Sequence, residues 1–211
     1  MPPIHARGSL SALKRCLDLL LGVPALVLAS PVIAFCAMRI KLDSPGPVFF
    51  RQVRAGRDGR RFVFLKLRTM DADADERLAE VADLNKHGSG LLSGAFKAID
   101  DPRMTRTGVW LRRRSLDELP QLWNVVRGDM SLVGPRPLPL REDAHISGHY
   151  EVRREVRPGM TGPWQVLGRS DIPFDDMLKL DYSYVVNWSF IEDLRFLLHT
   201  VSAVIRARGA Y

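Results

Sequence analysis

Cysteine is scarce: only Cys16 and Cys36 occur in 211 residues, with neither a CxxC spacing nor the dense even framework of a small secreted domain. A disulfide scaffold is excluded, and both thiols read as reduced packing residues of a cytosol-facing protein. Histidine is equally uninformative. Of five, His145 and His149 stand four apart beside Glu142 and Asp143 on a predicted helix, but the HExxH glutamate is missing and a solvated helix face is the better reading than zinc. No internal repeat or low-complexity tract is present, and 46% hydrophobic content suffices for one core of ordinary size plus one membrane element. The net charge of +7 predicts anionic partners, whether nucleic acid, lipid headgroups or an anionic small molecule. Nucleic acid is disfavoured, because the aromatics cluster in apolar segments and do not interleave with the basic residues.

Charge itself is absent over twenty positions, Leu19 to Met38, a length that can cross a bilayer. Pro24 and Pro31 interrupt the hydrogen bonding of such a helix, freeing the carbonyls of Leu20 and Val27, with the Ser30 hydroxyl placed to re-satisfy part of the loss. A break is expected near the middle. Basic residues flank both ends, Lys14 and Arg15 before, Arg39 and Lys41 after, so charge gives no preferred sign for a crossing. Sequence physics leaves a kinked span and a re-entrant helix equally open. A cleaved signal peptide is disfavoured by the length of the apolar run and the lack of an A-x-A site. Residues 1–43 are thus expected to form a tail and membrane helix, and 44–211 a folded domain.

After the SPGP breaker at Ser44 to Pro47, Val48 to Val53 and Arg61 to Arg68 read as two strands joined through Asp58-Gly59, a small β-hairpin. Phe62, Phe64 and Lys66 share one face of the second strand. Asp71 to Leu84 reads as a short polar helix, Asn85 to Pro102 as a glycine-containing loop, and Pro139 to Val156 as helical with a break at Gly148. WQVL, within RPGMTGPWQVLGR, is strand-like. Phe174 to Val186 and Phe190 to Arg206 read as amphipathic helices. Trp188, Tyr182, Tyr184 and the basic tail Arg206 to Arg208 suit a membrane interface. The fold class is α+β, mostly helical.

The densest chemistry lies in Arg112 to Pro137, RRRSLDELPQLWNVVRGDMSLVGPRP, where an acidic pair sits between two groups of arginines. Ser115 followed by Glu118 reads as a capping box, placing Asp117 and Glu118 in a first helical turn, with Leu116, Leu119, Leu122, Trp123 and Val126 as an apolar face. A purely structural helix start has no need of three adjacent cations, Arg112, Arg113 and Arg114. Downstream, Arg136 is held between Pro135 and Pro137, which offers its planar fork from a stiff loop suited to phosphate.

SLDELPQLWNVVRGDMSLVGPRP, with FLKLRTM upstream and RPGMTGPWQVLGR downstream, resembles the monotopic phosphoglycosyl transferases, the bacterial sugar transferase family, over about Lys14 to Tyr211. The resemblance implies a re-entrant helix broken at Ser30-Pro31, a monotopic protein on the cytoplasmic face of the inner membrane, and interfacial helices. It implies transfer of a sugar-1-phosphate from a UDP-sugar to undecaprenyl phosphate with release of UMP, initiating exopolysaccharide or other glycoconjugate synthesis. Endings such as NWSFIEDL and RARGAY are most similar to exopolysaccharide-initiating members, which implies glucose or galactose. By likeness, Asp117 is the nucleophile and Mg²⁺ ligand, Glu118 a base or metal support, and Lys66, Arg112, Arg136 and Arg169 phosphate contacts. Membrane lipids are implied partners; association with further copies is left open. Two rivals remain, a glycosyltransferase releasing UDP and a non-catalytic basic membrane adaptor in which the acidic pair only caps a helix.

Overall fold

Both prolines of the apolar segment lie inside one helix. The computed structural model describes residues 8–77, 101–167 and 173–205, and α1 (Gly8–Asp43) runs without interruption through Pro24 and Pro31. The Ser30 hydroxyl donates to the Val27 carbonyl at 2.7 Å, the acceptor that Pro31 deprives of its N–H. The expected break at Ser30-Pro31 is therefore no interruption of helical structure. One face of α1 enters the core through Ala25, Leu26, Ala29 and Ile33, while Leu20, Val27, Leu28 and Leu42 are 64–81% exposed on the other. By length and composition α1 can cross a membrane.

Its amino-terminal turns are sewn to the rest of the chain. Lys14 pairs with Asp193 and donates to the Tyr184 hydroxyl. Arg15 donates to the carbonyls of Val125 and Val126. Asp18 accepts from Ser131 Oγ and the Leu132 N–H. Lys14 and Arg15 flank the apolar run as expected, and both are engaged with internal groups. Gly22 permits α1 to approach α3, since a Cβ there would lie 3.3 Å from Val125 Cγ1.

β1 (Phe49–Ala55) and β2 (Arg61–Leu67) form the expected antiparallel hairpin, in register from Phe49 opposite Leu67 to Ala55 opposite Arg61. Asp58 and Gly59, both with positive φ, make the turn. Phe62 and Phe64 point into the core. The Asn124 side chain of α3 (Gln121–Arg127) completes the packing: it accepts from the Leu65 N–H and donates to the Val63 carbonyl.

α2 (Arg106–Arg113) precedes α3, and its start is capped twice, by Thr105 on the Gly108 N–H and by Asp43 on the Thr107 N–H. After α3, β3 (Ser131–Val133) pairs in parallel with β4 (Gly159–Thr161). The strand-like WQVL is instead helical, within α5 (Pro163–Leu167), because Pro163 occupies the first helical position, where its missing N–H and fixed φ favour a helix. The strand lies just before it, where Gly134 and Gly159 bring backbones into contact: a Cβ on Gly159 would sit 2.1 Å from the Gly134 nitrogen.

The expected helix over residues 139–156 is two pieces, α4 (Leu140–Asp143) and a 3-10 stretch Gly148–Glu155, separated at Gly148 with φ 65°. His145 and His149 therefore share no helix, and His149 packs on Tyr150 and Tyr182. α6 (Phe174–Val186) and α7 (Phe190–Ile205) fall where the periodicity placed them. Tyr184 and Trp188, expected at an interface, are instead buried in the core; the apolar residues left outside on α7 are Ile191, Leu194 and Leu198. Residues 72–75 form turns where a polar helix was expected, and its continuation, the loop from Asn85, Arg169 and the tail Arg206 to Arg208 lie outside the described residues.

Candidate active site

The acidic pair does not open a long helix. Ser115 is left-handed (φ 54°, ψ 22°) and makes no capping bond, Asp117 and Glu118 lie in a single 3-10 turn, Leu116–Glu118, and α3 begins only after Pro120. The capping-box reading is overturned, and neither carboxylate stands in the first turn of α3. A left-handed serine costs roughly 1–2 kcal/mol, a strain sited two residues before the carboxylate. The apolar face is also redrawn: Leu122 and Val125 are buried, and Trp123 is 51% exposed.

What replaces the cap is a cluster of cations. Lys66 Nζ lies 3.4 Å from Asp117 Oδ2 and 3.1 Å from Glu118 Oε1, and Arg136 Nη1 lies 3.4 Å from the same Glu118 oxygen. Burial alone would raise the Glu118 pKa, but Lys66 and Arg136 outweigh it and hold the carboxyl at about 2. Asp117 is 5% exposed. Of the three upstream arginines only Arg112 turns inward, donating to Thr69 Oγ1 at 3.2 Å. Burial lowers its pKa, and Asp117 is the largest opposing influence. Arg113 is exposed and Arg114 lies over the Trp110 ring.

The loop carrying Arg136 is gripped from both sides. Arg153 Nη2 donates to the Arg136 carbonyl at 2.6 Å, and Arg54 Nη1 donates to the Pro137 carbonyl at 2.6 Å. Arg153 is in turn held by buried Asp181, Nη2 to Oδ2 3.0 Å. Arg54 stacks over Phe64 at 4.0 Å, and burial, then repulsion from Arg136, brings its pKa down to about 9. Arg54, Arg153 and Asp181 escaped the sequence reading. Asp181 carried a signal, a carboxylate in line with the buried Met177, Leu178, Tyr184 and Val185 of α6, a position that demands a buried cation.

Among the described residues no group of three or more histidine, cysteine or acidic side chains could hold a metal ion. The pair nevertheless suits Mg²⁺. Lys66 takes one oxygen of each carboxylate, and the others, Asp117 Oδ1 and Glu118 Oε2, are hard donors of the kind Mg²⁺ uses in ones and twos beside substrate phosphates.

A carboxylate pair, Asp117 buried and Glu118 half-buried, is ringed by a lysine and guanidiniums in a protein with a helix long and apolar enough to cross a membrane. Residues 9–207 match the family model described as bacterial sugar transferase, and the chain belongs to that family. It is 38% identical over 206 residues to the undecaprenyl-phosphate galactose phosphotransferase of Salmonella typhimurium, covering 98% of this chain and 43% of that protein. It is 39% identical to the UDP-glucose:undecaprenyl-phosphate glucose-1-phosphate transferase of Caulobacter vibrioides, over 94% of this chain and 72% of that one. It is also 39% identical to the exopolysaccharide production protein ExoY of Sinorhizobium fredii, over 94% and 88% respectively. The chain thus spans less than half the length of the Salmonella relative and most of ExoY.

Proposed function

We propose that this chain transfers a hexose-1-phosphate, of glucose or galactose, from a UDP-sugar to undecaprenyl phosphate and releases UMP. The observation that carries the reading is buried Asp117 held against Lys66 with Arg112 and Arg136 close by, a nucleophile supplied with its own countercharges. Such a site lowers the repulsion that an anion meets when it approaches a phosphate.

In the first displacement an Asp117 carboxylate oxygen attacks the phosphorus bearing the sugar. The bond from that phosphorus to the bridging oxygen breaks, UMP departs with the electron pair, and an aspartyl-phosphosugar remains. In the second, an oxygen of the lipid phosphate attacks the same phosphorus and frees the carboxylate. Lys66, Arg112 and Arg136 hold phosphate oxygens, and Arg169 has the same expected role. Mg²⁺ held through Asp117, with Glu118 beside it, would supply further neutralisation of phosphate charge. A carboxyl at about 2 is a weak base, so metal and lysine support is favoured for Glu118 over proton removal.

Membrane placement follows the same reading. The globular part runs along the whole of α1, from the Lys14–Asp193 pair at one end to Cys36 and Ile40 packed with Leu67 and Leu111 at the other. A full crossing would carry exposed charged groups of the globular part, such as Arg127, into hydrocarbon, at several kcal/mol each. This supports a helix bent at its prolines so that it enters and leaves on the cytoplasmic face, where nucleotide-sugars are found.

The test is product identity. Full-length protein in nanodiscs is given Mg²⁺, undecaprenyl phosphate and UDP-glucose or UDP-galactose in turn. UMP that requires the lipid and vanishes in Asp117→Asn supports the proposal. UDP as product would replace it with plain glycosyl transfer, and full activity in Asp117→Asn would remove the nucleophile assignment.

A further inference from the structure

α2 carries Arg112 on its inner face, and its outer face has no assigned role. Thr107, Gly108 and Leu111 are buried, Arg106, Val109 and Arg113 are exposed, and Trp110 is half-buried at the edge between them, packed against the cluster of Cys36, Ile40 and Leu111. On α1, Phe35, Met38, Arg39 and Leu42 repeat that spacing, and the three apolar members are 48%, 55% and 81% exposed. The two outer faces meet at Trp110, whose ring lies 5.3 Å from the Arg39 guanidinium and 5.1 Å from that of Arg114. Arg39, Arg113 and Arg114 have no carboxylate partner among the described residues.

Height decides what such a surface meets. Leu111 packs against Cys36 and Ile40, so α2 lies level with the point on α1 where the charge-free stretch ends at Met38. In a membrane that level is the boundary between acyl chains and headgroups, where tryptophan and long basic side chains are favoured. Three arginines without carboxylates add charge complementarity to phosphate.

We infer that the joined outer faces of α2 and the last turns of α1 form a contact surface for anionic phospholipid headgroups. Trp110 rests at the acyl boundary, and Arg39, Arg113 and Arg114 meet lipid phosphates. The inference rests on the membrane placement proposed above. Its mechanistic consequence is that the helix resting on headgroup phosphates is the helix that presents Arg112 to the carboxylate site. That arrangement fixes the site at the depth of a lipid-borne phosphate.

The test uses the full chain in nanodiscs of phosphatidylcholine and phosphatidylglycerol, with bromine on the acyl chains of one lipid or the other at equal content. Tryptophan quenching is compared between wild type and Trp110→Phe, and the difference is the share of Trp110. The expected result is that Trp110 is quenched, and more strongly by brominated phosphatidylglycerol. In Arg113→Gln/Arg114→Gln that preference should fall toward equal quenching by the two lipids. No difference between wild type and Trp110→Phe, or equal quenching by the two lipids, would overturn the inference. Quenching needs no turnover, so missing UMP release with normal quenching would sink the transferase reading alone.

Discussion

Arg153 offers a way to separate holding the fold from holding the site. The residue is 6% exposed, and its guanidinium bonds to Asp181 and to the Arg136 carbonyl and lies 3.6 Å from Asp143. Asp181 is fully buried, and burial raises its pKa to about 6 against the pull of Arg153. An acid whose folded pKa lies above the unfolded value penalises the ionised folded state, fully so above pH 6, and the penalty fades as pH falls toward 3.8. Arg153→Met removes the cation that opposes this penalty, so Asp181 stays protonated at neutral pH and the protein loses about 3–5 kcal/mol. For a chain of this size that is roughly 6–20 °C in Tm. Adding Asp181→Leu replaces the pair with apolar groups and should restore most of the Tm, because buried pairs contribute little beyond one another. Activity should not return, since the Arg136 carbonyl still lacks its donor and the proposed phosphate contact is unanchored. The assay is thermal denaturation in detergent alongside UMP release at saturating and limiting donor, with the donor KM rising more than kcat falls. A double variant with both normal Tm and normal KM would refute the reasoning.

Three further outcomes are expected. Lys66→Met takes away the largest influence opposing burial at Glu118, so that carboxyl rises from about 2. The stability Glu118 contributes, now present above pH 4.5 and lost only as pH falls toward 2, should then fail at higher pH, with UMP release down on the order of 100-fold; an unchanged acid denaturation curve would count against the ion cluster. Gly108→Ala would place a Cβ 1.9 Å from the Thr69 carbonyl oxygen, backbone against backbone, and should cost upward of about 2 kcal/mol, read as a lower Tm; an unaltered Tm would show that α2 does not sit this close. Lys14→Met strands Asp193, which is fully buried, and should destabilise by about 3–5 kcal/mol; a shift under 1 kcal/mol by denaturant titration would mean that this end of α1 is not tied down.

Legibility followed the range of the interactions. The hairpin and α6 and α7 were readable because alternation, turn residues and helical spacing are local. Lys66, Asp117, Glu118 and Arg136 were singled out from the sequence, and the structure brings the four side chains together. The capping box was misread because S-x-x-E is also satisfied by a left-handed serine ahead of a 3-10 turn, and Pro120 then restarts the helix. WQVL misled because β-propensity reports a half-buried surface more than a backbone preference, whereas Pro163 acts directly on the backbone. Arg54 and Arg153 were missed for another reason: they reach the site loop through the carbonyls of Pro137 and Arg136, which leave no mark in side-chain pattern. The pairing of Lys14 was not legible because its partner lies 179 residues away.

Asn124 closes a short mechanical circuit. Its amide pins the β2 backbone on either side of Phe64, immediately before Lys66, and its helix begins three residues after Glu118. Lysine and carboxylates are therefore gauged against each other through one side chain, without passing through the membrane helix. If the bilayer thickens, thins or tilts α1, the reach to a lipid acceptor changes while the spacing inside the cluster does not. On the proposed two-step transfer, membrane composition should accordingly govern how often the lipid substrate arrives and leave the first half-reaction, on the soluble donor, almost untouched.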